Sequence, residues 1–235
     1  MGTIIRKVFT YLILPICIAG LVYLNVDSIS EPVNFKKHRE CRESVAVQRL
    51  KDIRDLQVAF KNVNAHYAST IDSLQQFYNE GKMKITLQVG SKDDSLAMAN
   101  TQKYKKKYAN LKKDKFNQKL YELYLAGETN LVFEVTSEIP VKDTLFKGRT
   151  DFHIDSLAFI PFSGDSIIMA STIKKVSGVN VPLFEASMPF KSLLKGLEPE
   201  QLRINLDAER EDQGRYKGLQ VGSISAPNNN AGNWE

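Results

Sequence analysis

The sequence has few of the residues that crosslink a small protein or bind metal ions. It contains two cysteines, Cys17 and Cys41, and three histidines, His38, His66 and His153. Cys17 lies inside an apolar run and Cys41 shortly after it, so we expect no intrachain disulfide across the body of the protein. The histidines lie far apart and none has a metal-ligand spacing such as HExxH. The sequence therefore predicts neither a metal site nor another cofactor.

The sequence also lacks the short motifs that mark common catalytic sites. It has no GxSxG segment and no phosphate-binding glycine loop, since Gly148 and Gly164 lie in turn-like contexts. Cys41 lacks the surroundings of a nucleophile, and the spacing of Asp151 and Asp155 is more typical of solvated strand ends than of a catalytic pair. We therefore predict no catalytic residue and expect a protein that is not an enzyme, with an enzyme of unknown class as an alternative.

The composition allows a membrane anchor followed by a folded body. Of 235 residues, 43% are hydrophobic and 25% are charged, which is close to ordinary globular usage. The net charge of +5 is mildly basic. Such a charge favours anionic surfaces without identifying one.

One long uncharged run near the N-terminus predicts a transmembrane helix. Residues Val8 to Val26 contain no charged side chain, and as a helix they span about 28 Å, close to the roughly 30 Å of a bilayer core. Arg6 and Lys7 precede the run, and Tyr11 and Tyr23 lie near its two ends. Aromatic and basic residues at these places are typical of helices that cross a membrane.

A cleaved signal peptide and a lipoprotein signal are the alternatives to a retained anchor. No small-x-small cleavage site follows Val26, and the residue before Cys17 is Ile16, where a lipoprotein signal has a small residue. The positive charge of Arg6 and Lys7 favours a cytoplasmic N-terminus, although further basic residues follow the helix. The sequence thus predicts a single-pass protein of the inner (cytoplasmic) membrane with a periplasmic body.

After an expected helix break at Pro32, apolar residues recur every three or four positions and predict an amphipathic stalk helix. One interpretation is that this stripe packs against the protein's own domain. The other is that it also forms a contact face for another envelope protein. A second short helix is expected in ASTIDSLQQFYNEGKM, from a cap at Ser69 or Thr70 to Gly81. The stripe begins at Val47, and its candidate partner face consists of Leu50, Ile53, Leu56, Phe60, Val63 and Tyr67.

The stalk residues RLKDIRDLQVAFKNVNAHYASTIDSLQQFY follow an apolar N-terminal helix. This arrangement resembles the start of type IV pilin-like proteins and secretion pseudopilins, over about residues 45 to 80. The resemblance implies an arginine-rich helix that leads into a small β domain. The family's processing site has a glycine directly before the apolar run and a glutamate within it, and neither occurs here. The whole chain is similar to single-pass envelope proteins of the Bacteroidetes type.

The body is predicted to be a mixed domain with an antiparallel sheet, which makes the fold class α+β. A strand is expected at KITLQVG, helix from about Leu96 to Leu125, and a short helix at PFKSLLKGL. Strand candidates are LVFEV, DFHIDSLAFIPF, SIIMASTIKK and VNVPLFEA, with a turn expected at Lys175-Val176-Ser177-Gly178 between the last two. A final hairpin is expected to pair LRINLDAE with RYKGLQVGSI. The tail lacks a periodic apolar pattern and is predicted to be flexible. The predicted boundaries are 1–27 for the anchor, 28–82 for the stalk, 83–224 for the body and 225–235 for the tail.

The most basic segment of the chain lies within the helical part of the body. Between Lys103 and Lys119 there are eight lysines and one acidic residue, Asp114. Our main interpretation is a solvated helix; the alternative is a patch that binds anionic lipid or glycan, while nucleic acid is not expected for a periplasmic body. The residues of this patch are Lys105, Lys106, Lys107, Lys112 and Lys113.

These observations lead to three function classes. The first is a membrane-anchored scaffold or assembly component of the cell envelope that acts through contacts with other envelope proteins, in the manner of pilin-like secretion proteins. The second is a periplasmic ligand-binding module, which requires a pocket that sequence cannot show. The third is an enzyme.

Overall fold

The structure is a computed structural model that describes Thr10 and residues 13–235. It combines helices with antiparallel sheets, which confirms the α+β class. The chain forms two compact units. The long-helix unit contains the described residues up to Leu74 together with His153–Glu235, and the inserted unit contains Gln75–Phe152. This division differs from the predicted boundaries, because one part of the predicted body joins the predicted stalk and the other part is an insertion.

The first helix, α1, runs without a break from Leu14 to Asn64. Pro32 lies inside it and does not end it, contrary to the predicted break. A proline removes one backbone hydrogen bond, and the bonds of the turns on either side can still hold the helix together. Cys17 and Cys41 are both free. They lie on this one helix about 36 Å apart, which confirms that they form no disulfide with each other.

The beginning of α1 is apolar and unburied. Side chains such as Leu21 and Leu24 are 60% and 61% exposed. By length and composition, α1 is able to cross a membrane. Tyr23, near the C-terminal end of the apolar run, is also exposed. Arg6, Lys7 and Tyr11 lie outside the described residues.

The long-helix unit contains a three-stranded antiparallel sheet. Its strands are β3 (Ile168–Val176), β4 (Val179–Pro189) and β5 (Gly218–Gly222), in the order β3-β4-β5. Ser177 and Gly178 connect β3 to β4 with φ angles of 49° and 87°. Two consecutive residues with positive φ are typical of a tight hairpin turn. The predicted turn at this position is therefore confirmed.

The apolar stripe of α1 packs against β4 and β5. Leu50, Ile53 and Leu56 are fully buried, and Tyr67 lies 4.8 Å from Phe184 between ring centroids. Burial of one such aliphatic side chain stabilises a fold by about 1.5–3 kcal/mol. These residues therefore belong to the protein's own core and are not free to form the predicted partner face.

The segment Glu200–Asp212 forms a helix, α6, and the prediction of a strand at this position was wrong. The alternation of Leu202, Ile204 and Leu206 is typical of a half-buried strand. Arg203 instead forms ion pairs with Glu200 and Asp207, three and four residues away. Those spacings place the charges together on a helix. A shorter helix, α5 (Phe190–Leu193), precedes α6 and confirms the short helix predicted after Pro189.

The predicted strand DFHIDSLAFIPF contains a 3₁₀ helix, Ile154–Ala158. The backbone N–H and the hydroxyl of Ser156 both donate hydrogen bonds to the carbonyl of His153. A side chain that bonds to the backbone three residues earlier favours a turn over a strand. Only Phe159 in this segment pairs in a β fashion, through an isolated bridge to Ser166.

The C-terminal tail, which the sequence predicts to be flexible, lies against β5. Gly232 forms a β bridge with Val221, and the Asn233 N–H donates to the Gln220 carbonyl at 2.9 Å. The Asn233 side chain also accepts from the Gln220 N–H and donates to the Gly218 carbonyl. These hydrogen bonds cover the free edge of β5, which otherwise has unpaired backbone groups.

The inserted unit is a two-stranded ribbon with two helices. Its ribbon pairs β1 (Lys82–Val89) with β2 (Phe133–Pro140) in antiparallel register. Helix α2 (Ile71–Glu80) leads into the unit, and the boundary between the units falls within it. The Ser73 N–H donates to the Thr70 hydroxyl, which confirms the predicted cap. Helices α3 (Ser95–Lys107) and α4 (Lys113–Leu125) lie between the two strands in sequence.

Candidate functional site

A small apolar core holds the inserted unit together. Leu120, Leu131 and Phe133 are buried at its centre, and Tyr104 and Phe116 pack against them from α3 and α4. The pairing of Phe133 with Val89 connects this core to both strands of the ribbon. The core therefore fixes where the outer residues of both helices lie.

Two sets of hydrogen bonds position α3. The Asp94 carboxylate accepts bonds from the Leu96 and Ala97 N–H groups and caps the helix. The Thr101 hydroxyl donates to the Ala97 carbonyl and accepts from the Val132 N–H at 2.9 Å. The second bond ties the middle of α3 to the segment before β2, and it occupies the Thr101 hydroxyl with protein partners.

A cleft of about 680 Å³ lies beside these two helices. Sites for small molecules commonly have volumes of about 300–1,000 Å³. The apolar lining comes from α3, the α3–α4 turn, α4 and the segment before β2, and three lysines add positive charge. The lining residues are Lys92, Met98, Thr101, Gln102, Lys105, Tyr108, Ala109, Leu111, Lys113, Phe116, Asn117 and Val132.

The charge of the cleft lining is entirely positive. Lys92, Lys105 and Lys113 all line it, and no aspartate or glutamate does. Within the described part of the chain, none of these three lysines forms an ion pair, whereas Lys119 pairs with Glu122 at 2.7 Å. The inserted unit as a whole has 14 Lys and Arg against 10 Asp and Glu, or +4 of the chain's +5. The cleft therefore offers unneutralised positive charge beside apolar surface.

Stacked aromatic rings support one wall of the cleft. Tyr104 and Tyr108 lie on successive turns with nearly parallel rings, 6.5 Å apart between centroids. Burial raises the pKa of Tyr104, and the Glu128 carboxylate, which accepts its hydroxyl hydrogen bond, raises that pKa further. Tyr104 thus stays a neutral donor, and its contacts hold the neighbouring Tyr108 ring against the cleft.

Two other depressions among the described residues have mixed charge. One of about 440 Å³ lies on α4 and β2 and includes Asp114 and Glu134. Another of about 320 Å³, in the long-helix unit, includes Asp165, Glu198 and Glu200 beside its basic residues. Their lining is mainly polar. The larger cleft is the one that combines apolar lining with charge of a single sign.

The structure brings only part of the predicted lysine patch to the cleft. Lys105 and Lys113 line it, whereas Lys106, Lys107 and Lys112 are exposed elsewhere on the same segment. Sequence reasoning missed Lys92, Met98 and Val132, because they lie in segments that come together only in the folded unit. The aromatic residues interleaved with the lysines were the available signal, since Tyr108 and Phe116 are among them.

Replacement of all five patch lysines by glutamine is expected to change the free energy of unfolding by less than about 1 kcal/mol, as is usual for exposed side chains. We also expect neutral-lipid vesicles that carry the full chain, anchored through α1, to bind few added vesicles of anionic lipid. Denaturant titration in a mild detergent measures the first result, and co-flotation of labelled anionic vesicles measures the second. Strong, salt-sensitive co-flotation that the five-lysine variant loses would instead establish a membrane-binding face.

No group of three or more metal-ligating side chains occurs in the part of the chain that the structure describes. His38, His66 and His153 are all exposed. Comparison of the chain with protein-family models, with curated proteins and with solved structures found no match. The proposals below therefore rest on the geometry of this structure.

Proposed function

We propose that the chain is a membrane-anchored ligand-binding protein whose binding site is the cleft of the inserted unit. The observation that carries this proposal is the cleft itself, which combines a ligand-sized volume with apolar walls and three lysines that form no ion pair with any described residue. An exposed apolar surface beside unneutralised charge gains free energy when a complementary ligand covers it. This makes the second of the three function classes the one that the geometry favours.

The envelope scaffold ranks second in this proposal. Of the stripe residues, Leu50, Ile53, Leu56 and Tyr67 are buried in the long-helix unit, and Val63 is 47% exposed. A partner surface would have to be built from other residues. We infer no pilin-like assembly from the stalk, and we propose no catalytic residue.

We further propose that α1 holds the chain in the inner membrane with the body in the periplasm. The exposed apolar side chains of α1 support an anchor, and the basic residues Arg6 and Lys7 support a cytoplasmic N-terminus. We expect alkaline phosphatase fused after Glu235 to be active. A fluorescent protein fused at the same residue and bright only in the cytoplasm would contradict this orientation.

An uncharged photoreactive alkyl probe tests the binding proposal on the full chain in vesicles of neutral lipid. We expect the probe to crosslink both the apolar segment of α1 and peptides from residues 98–117, so α1 provides an internal reference. Ala109 lines the cleft, whereas Ala99 is an exposed residue of α3 outside it. Ala109→Trp should remove the labelling of residues 98–117, and the matched control Ala99→Trp should retain it.

Two results would overturn the proposal. One is wild-type labelling of residues 98–117 no stronger than that of other exposed peptides of the chain. The other is equal labelling in the Ala109→Trp variant, since the indole ring at this lining position takes up space that the probe would occupy. Unchanged α1 labelling in each variant shows that the protein is folded into the membrane and exposed to the same probe concentration.

A further inference from the structure

We propose that the ligand of this cleft is a fatty acid, with its alkyl chain against the apolar walls and its carboxylate among Lys92, Lys105 and Lys113. This inference rests on the proposed binding function and adds the chemical class of the ligand. The chemistry that the cleft would recognise is one alkyl chain that ends in an anionic group.

The first argument is the convergence of positive charge from three separate segments. Lys92 lies in the loop after β1, Lys105 in the last turn of α3, and Lys113 at the start of α4. Folding places all three on one cleft that has no acidic lining residue. Like charges brought together repel each other, and a bound anion relieves that repulsion. The two mixed-charge depressions offer no comparable selectivity for an anion.

The second argument is the apolar character of the walls. Met98, Tyr108, Leu111, Phe116 and Val132 are carbon-rich, and Leu111 is 38% exposed. A glycan would need polar partners along its whole length. The Thr101 hydroxyl is already bonded to Ala97 and Val132, so the uncharged polar groups left on the lining are the Gln102 and Asn117 amides and the Tyr108 hydroxyl. The walls therefore suit an alkyl chain better than a sugar.

The third argument is the short spacing between charge and apolar surface. Lys105 and Tyr108 are three residues apart at the end of α3, and Lys113 and Phe116 are three residues apart on α4. A residue three positions away lies on the same side of a helix. The anionic group of the ligand must therefore follow its alkyl chain directly, as a carboxylate does in a fatty acid, without a large polar headgroup between them.

The test uses four photoreactive probes with the same alkyl chain and different end groups, namely carboxylate, alcohol, trimethylammonium and phosphate. The full chain is held in vesicles of neutral lipid at a pH of about 9, where the carboxylate of the probe is ionised. Labelling of residues 98–117 is divided by labelling of the α1 apolar segment in the same sample. This ratio corrects for the different partitioning of each probe into the bilayer.

We expect the ratio for the carboxylate probe to exceed that for the alcohol by about tenfold, since each exposed charge contact contributes modestly and three act together. The double variant Lys105→Gln/Lys113→Gln should bring the carboxylate ratio close to that of the alcohol. The matched control Lys106→Gln/Lys112→Gln removes the same charge from the same segment and should leave the ratio unchanged. Raising the salt concentration from 0.1 M to 1 M should lower the carboxylate ratio as well.

Each contrary result identifies the part of the account that fails. Equal ratios for carboxylate and alcohol, both lost in Ala109→Trp, would refute the fatty acid and leave the binding function standing. No labelling of residues 98–117 by any probe would refute both. A higher ratio for the phosphate than for the carboxylate probe would assign the site to a phosphorylated amphiphile and overturn the fatty acid. A preference for trimethylammonium would contradict the role of the lysines.

Discussion

Removal of residues 226–235 is expected to lower the free energy of unfolding of the long-helix unit by about 5 kcal/mol, at roughly 1 kcal/mol for each of five lost hydrogen bonds. The bonds lost at β5 are the one that the Gly222 N–H donates to the Ala231 carbonyl and the three made by Asn233. The Tyr67 hydroxyl also loses its Asn230 partner. Hydrogen exchange of the amides in β4 and β5, measured on the full-length and shortened chains, reports this change.

The single substitution Glu235→Gln distinguishes the effect of the ion pair at Glu235 from the effect of covering β5. Glu235 accepts a hydrogen bond from Arg54 at 2.6 Å, and that bond lowers the pKa of the Glu235 carboxyl. A carboxyl with a lowered pKa stabilises the fold above its ordinary pKa, and it loses that effect as the pH falls through the lowered value. Glu235→Gln should therefore have little effect on exchange, and its small effect should disappear in acid. Equal protection of β5 in the shortened and full-length chains would show that the tail is flexible after all.

Replacement of Gln57 by leucine is expected to cost about 3 kcal/mol of unfolding free energy, because two buried backbone groups lose their partners. The Gln57 side chain is fully buried on α1. It donates to the Ala68 carbonyl and accepts from the Ala68 N–H, both at 2.9 Å. These two bonds pair the backbone N–H and carbonyl of Ala68, shortly after α1 ends. An apolar side chain of similar size cannot replace them.

Denaturant unfolding of the full chain in a mild detergent measures the effect of Gln57→Leu. The matched control is Gln201→Leu on α6, where the exposed glutamine bonds only to Asn205 one turn away. We expect a change of less than about 0.5 kcal/mol for the control. Similar values for the two variants would mean that the Ala68 backbone finds other partners, and that Gln57 does not hold this turn in place.

The sequence predicted those elements whose signals are local. The caps and glycines around α2, the alternation in β1 and the tight turn at Ser177 and Gly178 all indicated structures that the fold contains. In each case a few neighbouring residues determine the backbone conformation. The same reasoning failed for α6, since three alternating apolar residues outweighed the helical spacing of Arg203 and Asp207.

The arrangement of the chain in two units could not be predicted, because it depends on contacts between distant residues. Residues after His153 pack with α1, more than eighty positions earlier, and nothing near either segment specifies that pairing. The tail was predicted to be flexible for a related reason. Asn233 and Gly232 are typical loop residues, and their order comes from the edge of β5 that they cover.

The cleft depends on contacts of the same distant kind. Lys105 and Lys113 belong to a basic run in the sequence, and the main prediction for that run is a solvated helix. In the folded unit, Lys92 and Val132 come from two separate loops and line the same cleft as Lys105 and Lys113. A sequence can show that aromatic residues are interleaved with lysines, but it cannot show that these side chains line one cleft.

The most direct test of the proposed binding function is native mass spectrometry of the full chain extracted from its own membranes. We predict that the wild-type protein and Ala99→Trp carry a small-molecule adduct of one constant mass, and that Ala109→Trp carries none. Fragmentation of that adduct identifies the ligand without prior choice of a probe. Wild-type protein that is free of adducts but arrives with stoichiometric partner proteins would contradict the binding function and favour the scaffold.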